Sequence, residues 1–103
     1  MAAAQSSVEH FEAMAWLLKE LAPGGIELRE HGFSSTALGS FLIVLARGQK
    51  EVRLRWDGRD ALLSVDFREN QTAGWIHDGK ISVPKGEGLY AEISSQATQV
   101  LAV

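Results

Sequence analysis

The chain has 103 residues, of which 46% are apolar, and its formal net charge is −3. This length is close to the commonest domain size, so we expect one domain over residues 1–103, with residues 1–6 disordered. The chain contains no cysteine, which excludes disulfides, thiolate zinc sites and thiol catalysis.

The first predicted element is a helix over residues 7–22. Ser6 and Glu9 have the spacing of a capping box, with Ser7 as a competing cap. Pro23 cannot continue the helix and ends it. Apolar residues recur every three or four positions, which predicts a face that packs on the protein interior. That face consists of Val8, Phe11, Met14, Ala15, Leu18, Leu21 and Ala22, with Trp16 and Leu17 beside it. A face this broad is typical of deep packing and, less often, of an interface patch.

A first strand is predicted over residues 26–31, and a loop over residues 32–36 follows it. Because side chains alternate between the two faces of a strand, Ile26 and Leu28 should point inward. The outward positions are then Glu27, Arg29 and His31.

Three apolar runs over residues 41–46, 52–56 and 62–67 predict three further strands joined by tight turns. Gly48-Gln49 and Asp57-Gly58 separate the runs, and both sequences accept the positive φ that hairpin turns need. A two-residue loop at the first turn sets the register of the meander, whichever form the second turn takes. The residues predicted to face the core are Phe41, Ile43, Leu45, Val52, Leu54, Trp56, Leu63, Val65 and Phe67. The opposite face carries Leu42, Val44, Glu51, Arg53, Arg55, Leu62, Ser64 and Asp66.

The segment 73–83 predicts either a short hairpin around Asp78-Gly79 or one strand preceded by a turn, and Trp75 is expected to fill the core. Residues 87–101 predict a second helix, with Leu89, Ile93, Ala97 and Val100 on its apolar stripe. Together these elements predict an α+β fold. It is a two-layer sandwich in which an antiparallel meander of four to five strands carries the N-terminal and C-terminal helices on one face.

The sequence identifies no catalytic, metal-binding or cofactor-binding residue. His10, His31 and His77 lack the spacing of known metal motifs, so we expect surface or packing roles for them. Hydroxyl residues follow His31 at positions 34–36, but the Gly-x-Ser-x-Gly pattern that presents a nucleophile is missing. We therefore expect neither a cofactor nor a bound metal.

The outer face of the sheet mixes arginines with apolar residues, which is typical of an interface core and its rim. The candidate interface consists of Leu42, Val44, Arg53, Arg55 and Leu62. The alternative is a solvated charge ladder, because Glu51, Asp66 and Asp60 lie within cross-strand reach of the arginines. As an interface, this face would bind another protein or a second copy of the chain in a homodimer.

The sequence favours a small non-catalytic protein-interaction domain, such as an adaptor, an immunity protein or a chaperone-like protein. The alternative is a small-ligand-binding protein or enzyme with a site between helices and sheet, and an RNA-binding module is a weaker alternative. Residues 31–68 carry a net charge of only +2, which argues against a nucleic-acid partner. The N-terminal residues lack the features of a signal peptide and no apolar run could span a membrane, so a soluble, cytoplasmic protein is expected.

Overall fold

The structure is a computed structural model and describes residues 7–102, apart from the side chain of residue 35. The predicted disorder of residues 1–6 and the predicted cap at Ser6 lie outside the described residues. The helices and strands are α1 (Ser7–Leu21), β1 (Glu27–Ser34), β2 (Ser40–Arg47), β3 (Lys50–Asp57), β4 (Leu62–Arg68), β5 (Ile76–Ser82) and α2 (Leu89–Val100). Short 3-10 turns occupy Ala22–Gly24, Ser35–Ala37 and Pro84–Gly86. None of the helices in this part of the chain is long and apolar enough to cross a membrane.

The five strands form one antiparallel sheet in the order β1-β2-β3-β4-β5, and the predicted α+β fold is confirmed. The predicted register is also confirmed, since Ile43 lies opposite Leu54, which lies opposite Val65. Gly48 has the positive φ, 64°, that the first hairpin turn needs. Of the two predictions for the segment before Pro84, the single strand is correct. Asp78 is an extra residue in β5, at a bulge opposite β4.

The core lies between the sheet and the two helices. Ile43, Leu54 and Leu63 are fully buried on the sheet face that the helices cover. α2 contacts β3, and α1 contacts both α2 and the edge strand β1. The predicted stripe of α2 is confirmed, because Leu89 and Ile93 are buried in this core.

The prediction for α1 is correct for Met14 and Leu21, which are buried, but wrong for other residues of the predicted face. The buried residues are His10, Met14, Leu17 and Leu21. Val8 and Phe11, predicted to point inward, are 65% and 54% exposed. The orientation of α1 follows from its position beside α2 and above β1, where His10 hydrogen-bonds to Tyr90 of α2 and to His31 of β1. Periodicity treats His10 as a polar residue, and it therefore selects the neighbouring apolar stripe.

The prediction for β1 is wrong about His31. Arg29 is an extra residue in the strand, at a bulge that follows Leu28. A bulge shifts the alternation of side chains by one residue. His31 therefore lies opposite the core residue Ile43 instead of pointing outward. The strand also continues to Ser34, through the start of the segment predicted as a loop.

Candidate functional site

Two carboxylates are buried on the outer face of the sheet, each among basic side chains. Glu51 of β3 accepts hydrogen bonds from Arg29 at 3.1 Å and from Arg68 at 2.6 Å. Burial would raise the pKa of Glu51, but the hydrogen bonds and charges of Arg68 and Arg29 outweigh it and hold that pKa below its usual range. The Glu51 side chain is therefore ionised at neutral pH, although it is only 2% exposed.

Asp66 of β4 is the centre of the second cluster. Arg53 and Arg55 each place a guanidinium nitrogen 3.1 Å from Oδ2 of Asp66. Nδ1 of His77 lies 3.0 Å from Oδ1. Burial would raise the pKa of Asp66, but hydrogen bonds from His77 and Arg53 and the charges of Arg55 and Arg53 lower it overall. Together the two clusters link side chains of β1, β3, β4 and β5 across the outer face.

Trp75 connects the two clusters. The guanidinium carbons of Arg53 and Arg68 lie 4.4 and 4.2 Å from the centroid of its ring. Trp75 is thus on the outer face, and the expectation that it fills the core is wrong. The apolar residues of β2 are well shielded on this face, since Val44 is 4% and Ala46 is 0% exposed. This shielding is the effect expected of long arginine side chains that lie over apolar positions.

All five residues of the candidate interface lie on the outer face, as the register requires. Val44 is buried, and Leu42 and Leu62 are half-buried. Arg53 and Arg55 both contact Asp66, and 49% of the Arg55 side chain is exposed. The role of these residues in binding another chain stays a prediction.

We expect Glu51→Ala to lower the free energy of unfolding by about 2 kcal/mol, because it leaves two partly buried guanidinium groups without their carboxylate. Glu69→Ala is the matched control, since Glu69 is 65% exposed and lies 3.8 Å from its partner Lys50. An exposed pair of this kind contributes less than about 1 kcal/mol. Urea denaturation of both variants measures the difference. Equal, small losses for the two variants would show that the Glu51 cluster does not stabilise the sheet.

A second polar group lies between the helices and the sheet, centred on His10. His10 of α1 is fully buried. Its Nε2 lies 2.7 Å from Nε2 of His31, and its Nδ1 lies 2.6 Å from the hydroxyl of Tyr90. The rings of Phe33 and Phe41 lie 4.4 and 4.6 Å from the His10 ring, measured between centroids. One chain of hydrogen bonds therefore joins β1, α1 and α2.

The surroundings of His10 determine its protonation. Burial and, to a smaller extent, the charge of His31 lower the pKa of His10 to about 4. His10 is therefore neutral at pH 7, with one donor and one acceptor nitrogen. Because the Tyr90 hydroxyl can donate or accept, either tautomer of His10 satisfies both of its neighbours. If both His10 and His31 were in the charged imidazolium form, their facing Nε2 atoms would both be N–H donors and could not hydrogen-bond to each other.

Sequence reasoning missed this histidine–tyrosine group, although the sequence holds a signal for it. His10 precedes Met14, Leu17 and Leu21 at spacings of four, three and four residues, the same spacing as an apolar helix face. A histidine in line with buried apolar residues indicates a buried polar contact. Its partner His31 could not be found in the same way, because the bulge in β1 reverses the direction of that side chain.

Every buried side-chain nitrogen and oxygen among the described residues has a hydrogen-bond partner. Within residues 7–102, no three His, Cys, Asp or Glu side chains are grouped as a metal site would need. The buried polar side chains described above are satisfied by one another.

The side of α1 next to β1 exposes a row of apolar residues, here named the α1 stripe. It consists of Val8, Phe11, Ala15, Leu18 and Ala22. Val8 and Phe11 are the most exposed of its large residues, and Leu18 is half-buried. The Phe11 ring lies 5.4 Å from the ring of His31 and 6.2 Å from that of Phe33, so Phe11 lies next to β1.

The neighbouring strand also exposes an apolar residue. Leu28 of β1 is 37% exposed, and β1 is an edge strand. Trp16, Leu38 and Ile76 are also exposed, but they lie outside the stripe, and single exposed apolar residues are normal.

Comparison of the chain with protein-family models, with curated proteins and with solved structures found no match.

Proposed function

We propose that the protein is a non-catalytic protein-interaction domain that binds its partner through the α1 stripe. The observation that supports the proposal is the exposure of Val8 and Phe11, at 65% and 54%, one helical turn apart on α1. Contiguous exposed apolar residues of this kind mark protein-binding surfaces more often than they serve folding. An adaptor, an immunity protein and a chaperone-like protein all act by binding a protein, so the proposal covers these three classes.

The contacts on the outer face favour a structural role for its arginines over binding to RNA. Arg29 and Arg68 are paired with Glu51. Arg53 and Arg55 are paired with Asp66. A phosphate would therefore compete with a carboxylate already in place for each of these guanidinium groups.

The histidine–tyrosine group is the feature of the core that bears on the small-ligand alternative. Both ring nitrogens of His10 are occupied by His31 and Tyr90, and aromatic rings surround the His10 ring. These contacts support a role in fixing α1 to the sheet and to α2. The cytoplasmic location stays a prediction from the sequence.

The proposal is tested by comparing Phe11→Glu with Leu42→Glu, a half-buried leucine on the outer face. Both variants are first shown by circular dichroism to keep the wild-type fold. A partner captured from native cells is then identified, purified and titrated against each variant by calorimetry. We expect Phe11→Glu to weaken binding roughly tenfold or more, because a charge replaces an apolar contact. Leu42→Glu should bind as wild type does.

The opposite result would contradict the proposed surface. If Leu42→Glu loses binding and Phe11→Glu retains it, the contact is made by the outer face, as the sequence alone suggested. If neither variant loses binding, the protein does not bind through either apolar surface.

A further inference from the structure

The residues of the α1 stripe follow the spacing of a coiled coil. Val8, Phe11, Ala15, Leu18 and Ala22 are separated by three, four, three and four residues, which is the a and d pattern of a heptad repeat. The core of this chain uses a different stripe of the same helix, which begins at His10 and ends at Leu21. Four of the five heptad residues are therefore exposed, and Leu18 is half-buried against the core.

The stripe is also symmetric, to within one residue, about Ala15. Ala15 lies at the centre, with Phe11 and Leu18 on its two sides and Val8 and Ala22 at the ends. An antiparallel copy of the same helix would place Phe11 against Leu18 and Val8 against Ala22, with the two Ala15 residues at the crossing point. No large residue would then meet its own copy across the axis, and the two helices could approach closely at the alanines.

We infer that α1 pairs antiparallel with α1 of a second copy of this chain, across a two-fold axis next to Ala15. This inference rests on the proposed binding role of the α1 stripe, and it identifies the bound partner as a second copy of the chain. A two-fold contact of this type is isologous, so that each copy contributes the same surface. It differs from the homodimer expected from the sequence, which would form through the outer face of the sheet.

Charge complementarity selects the second copy and the antiparallel direction. Glu12 and Lys19 are exposed and occupy equivalent heptad positions on the solvent flank of the stripe. Within the described residues neither takes part in an ion pair. Antiparallel pairing brings Glu12 of each copy next to Lys19 of the other, so that two ion pairs form. In a parallel pair, residues at this flank position lie on opposite sides of the seam, so neither ion pair would form.

The size of the contact sets the expected strength of the dimer. α1 has 15 residues and is therefore about 22 Å long. A contact along one short helix is smaller than the roughly 800 Å² per partner of a standard stable interface. We therefore expect a reversible dimer whose population rises with protein concentration.

A charge-swap experiment tests the inference. Sedimentation velocity is recorded over a concentration series for wild type, for Glu12→Lys, for Lys19→Glu and for their equimolar mixture. Each single variant should dimerise roughly tenfold or more weakly than wild type, because like charges now meet twice. The mixture should regain dimers, since one chain carries two positive and the other two negative residues. The Glu12→Lys, Lys19→Glu double variant should dimerise as wild type does, which controls for folding.

Two results would overturn the inference. One is a wild-type protein that stays monomeric at every concentration, and the other is a mixture that dimerises no better than its separate components. Phe11→Glu distinguishes this failure from failure of the proposed function. If the protein is monomeric but Phe11→Glu still abolishes binding of a different purified protein, the stripe binds that protein and the second copy is excluded. If Phe11→Glu changes neither property, both proposals fail.

Discussion

Leu54→Asp should abolish folding of the domain. Leu54 is fully buried in the middle of the sheet, opposite Ile43 and Val65. An unpaired carboxylate at this position would cost more than about 5 kcal/mol, which is comparable to the whole stability of a small domain. We expect the far-ultraviolet circular dichroism spectrum of the variant to show an unfolded chain at neutral pH.

Arg55→Ser is the matched control for Leu54→Asp, because it changes the next residue on the opposite face. Nearly half of the Arg55 side chain is exposed, and its partner Asp66 keeps Arg53 and His77. The loss of stability should be less than about 1 kcal/mol in urea denaturation. A cooperatively unfolding Leu54→Asp variant with a stability close to that of Arg55→Ser would show that the core is on the other face.

The domain should lose about 2 kcal/mol of stability between pH 7 and pH 5 because of His10. The pKa of this residue is lowered to about 4 in the folded protein, whereas its ordinary value is about 6.5. Protons therefore bind more strongly to the unfolded chain, so stability is lost as the pH falls below 6.5. The loss is complete only below the folded pKa, near pH 4.

The effect of His10 on stability occurs in a different pH range from that of the buried carboxylates. The lowered pKa values of Glu51 and Asp66 stabilise the fold above the pKa of the unfolded carboxyl groups, and this stability is lost only in stronger acid. Urea denaturation of wild type and His10→Gln from pH 7 to pH 5 measures the effect. The His10→Gln variant should be less stable at pH 7 but should lack most of the pH dependence. An equally steep dependence in the variant would assign the titration to another group.

The meander could be predicted from sequence because its signals are local. Gly48 and the Asp57-Gly58 pair mark the turns, and alternation between them assigns each side chain to a face. The observed pairing of Phe41 with Trp56 follows directly from that register. The carboxylate clusters can be predicted in part, because the register puts Glu51 and Asp66 within cross-strand reach of the arginines.

The rest of the fold depends on contacts between residues that are distant in the chain. The buried side of α1 is set by His10, whose partners His31 and Tyr90 lie 21 and 80 residues away. The bulge at Arg29 has no local sequence pattern, yet it reverses the directions of the following side chains. Trp75 lies over Arg53 and Arg68, a position that no periodicity indicates. The α1 stripe could therefore be found in the sequence, but its exposure could not.

Photo-crosslinking from position 11 is the most direct test of binding through the α1 stripe. A photoreactive phenylalanine analogue replaces Phe11 in one protein and Leu42 in a second, and each is irradiated in native cells. We expect position 11 to form a protein adduct whose crosslinked peptide identifies the partner, either α1 of a second copy or another protein. Adducts formed from position 42 alone would contradict binding through the α1 stripe.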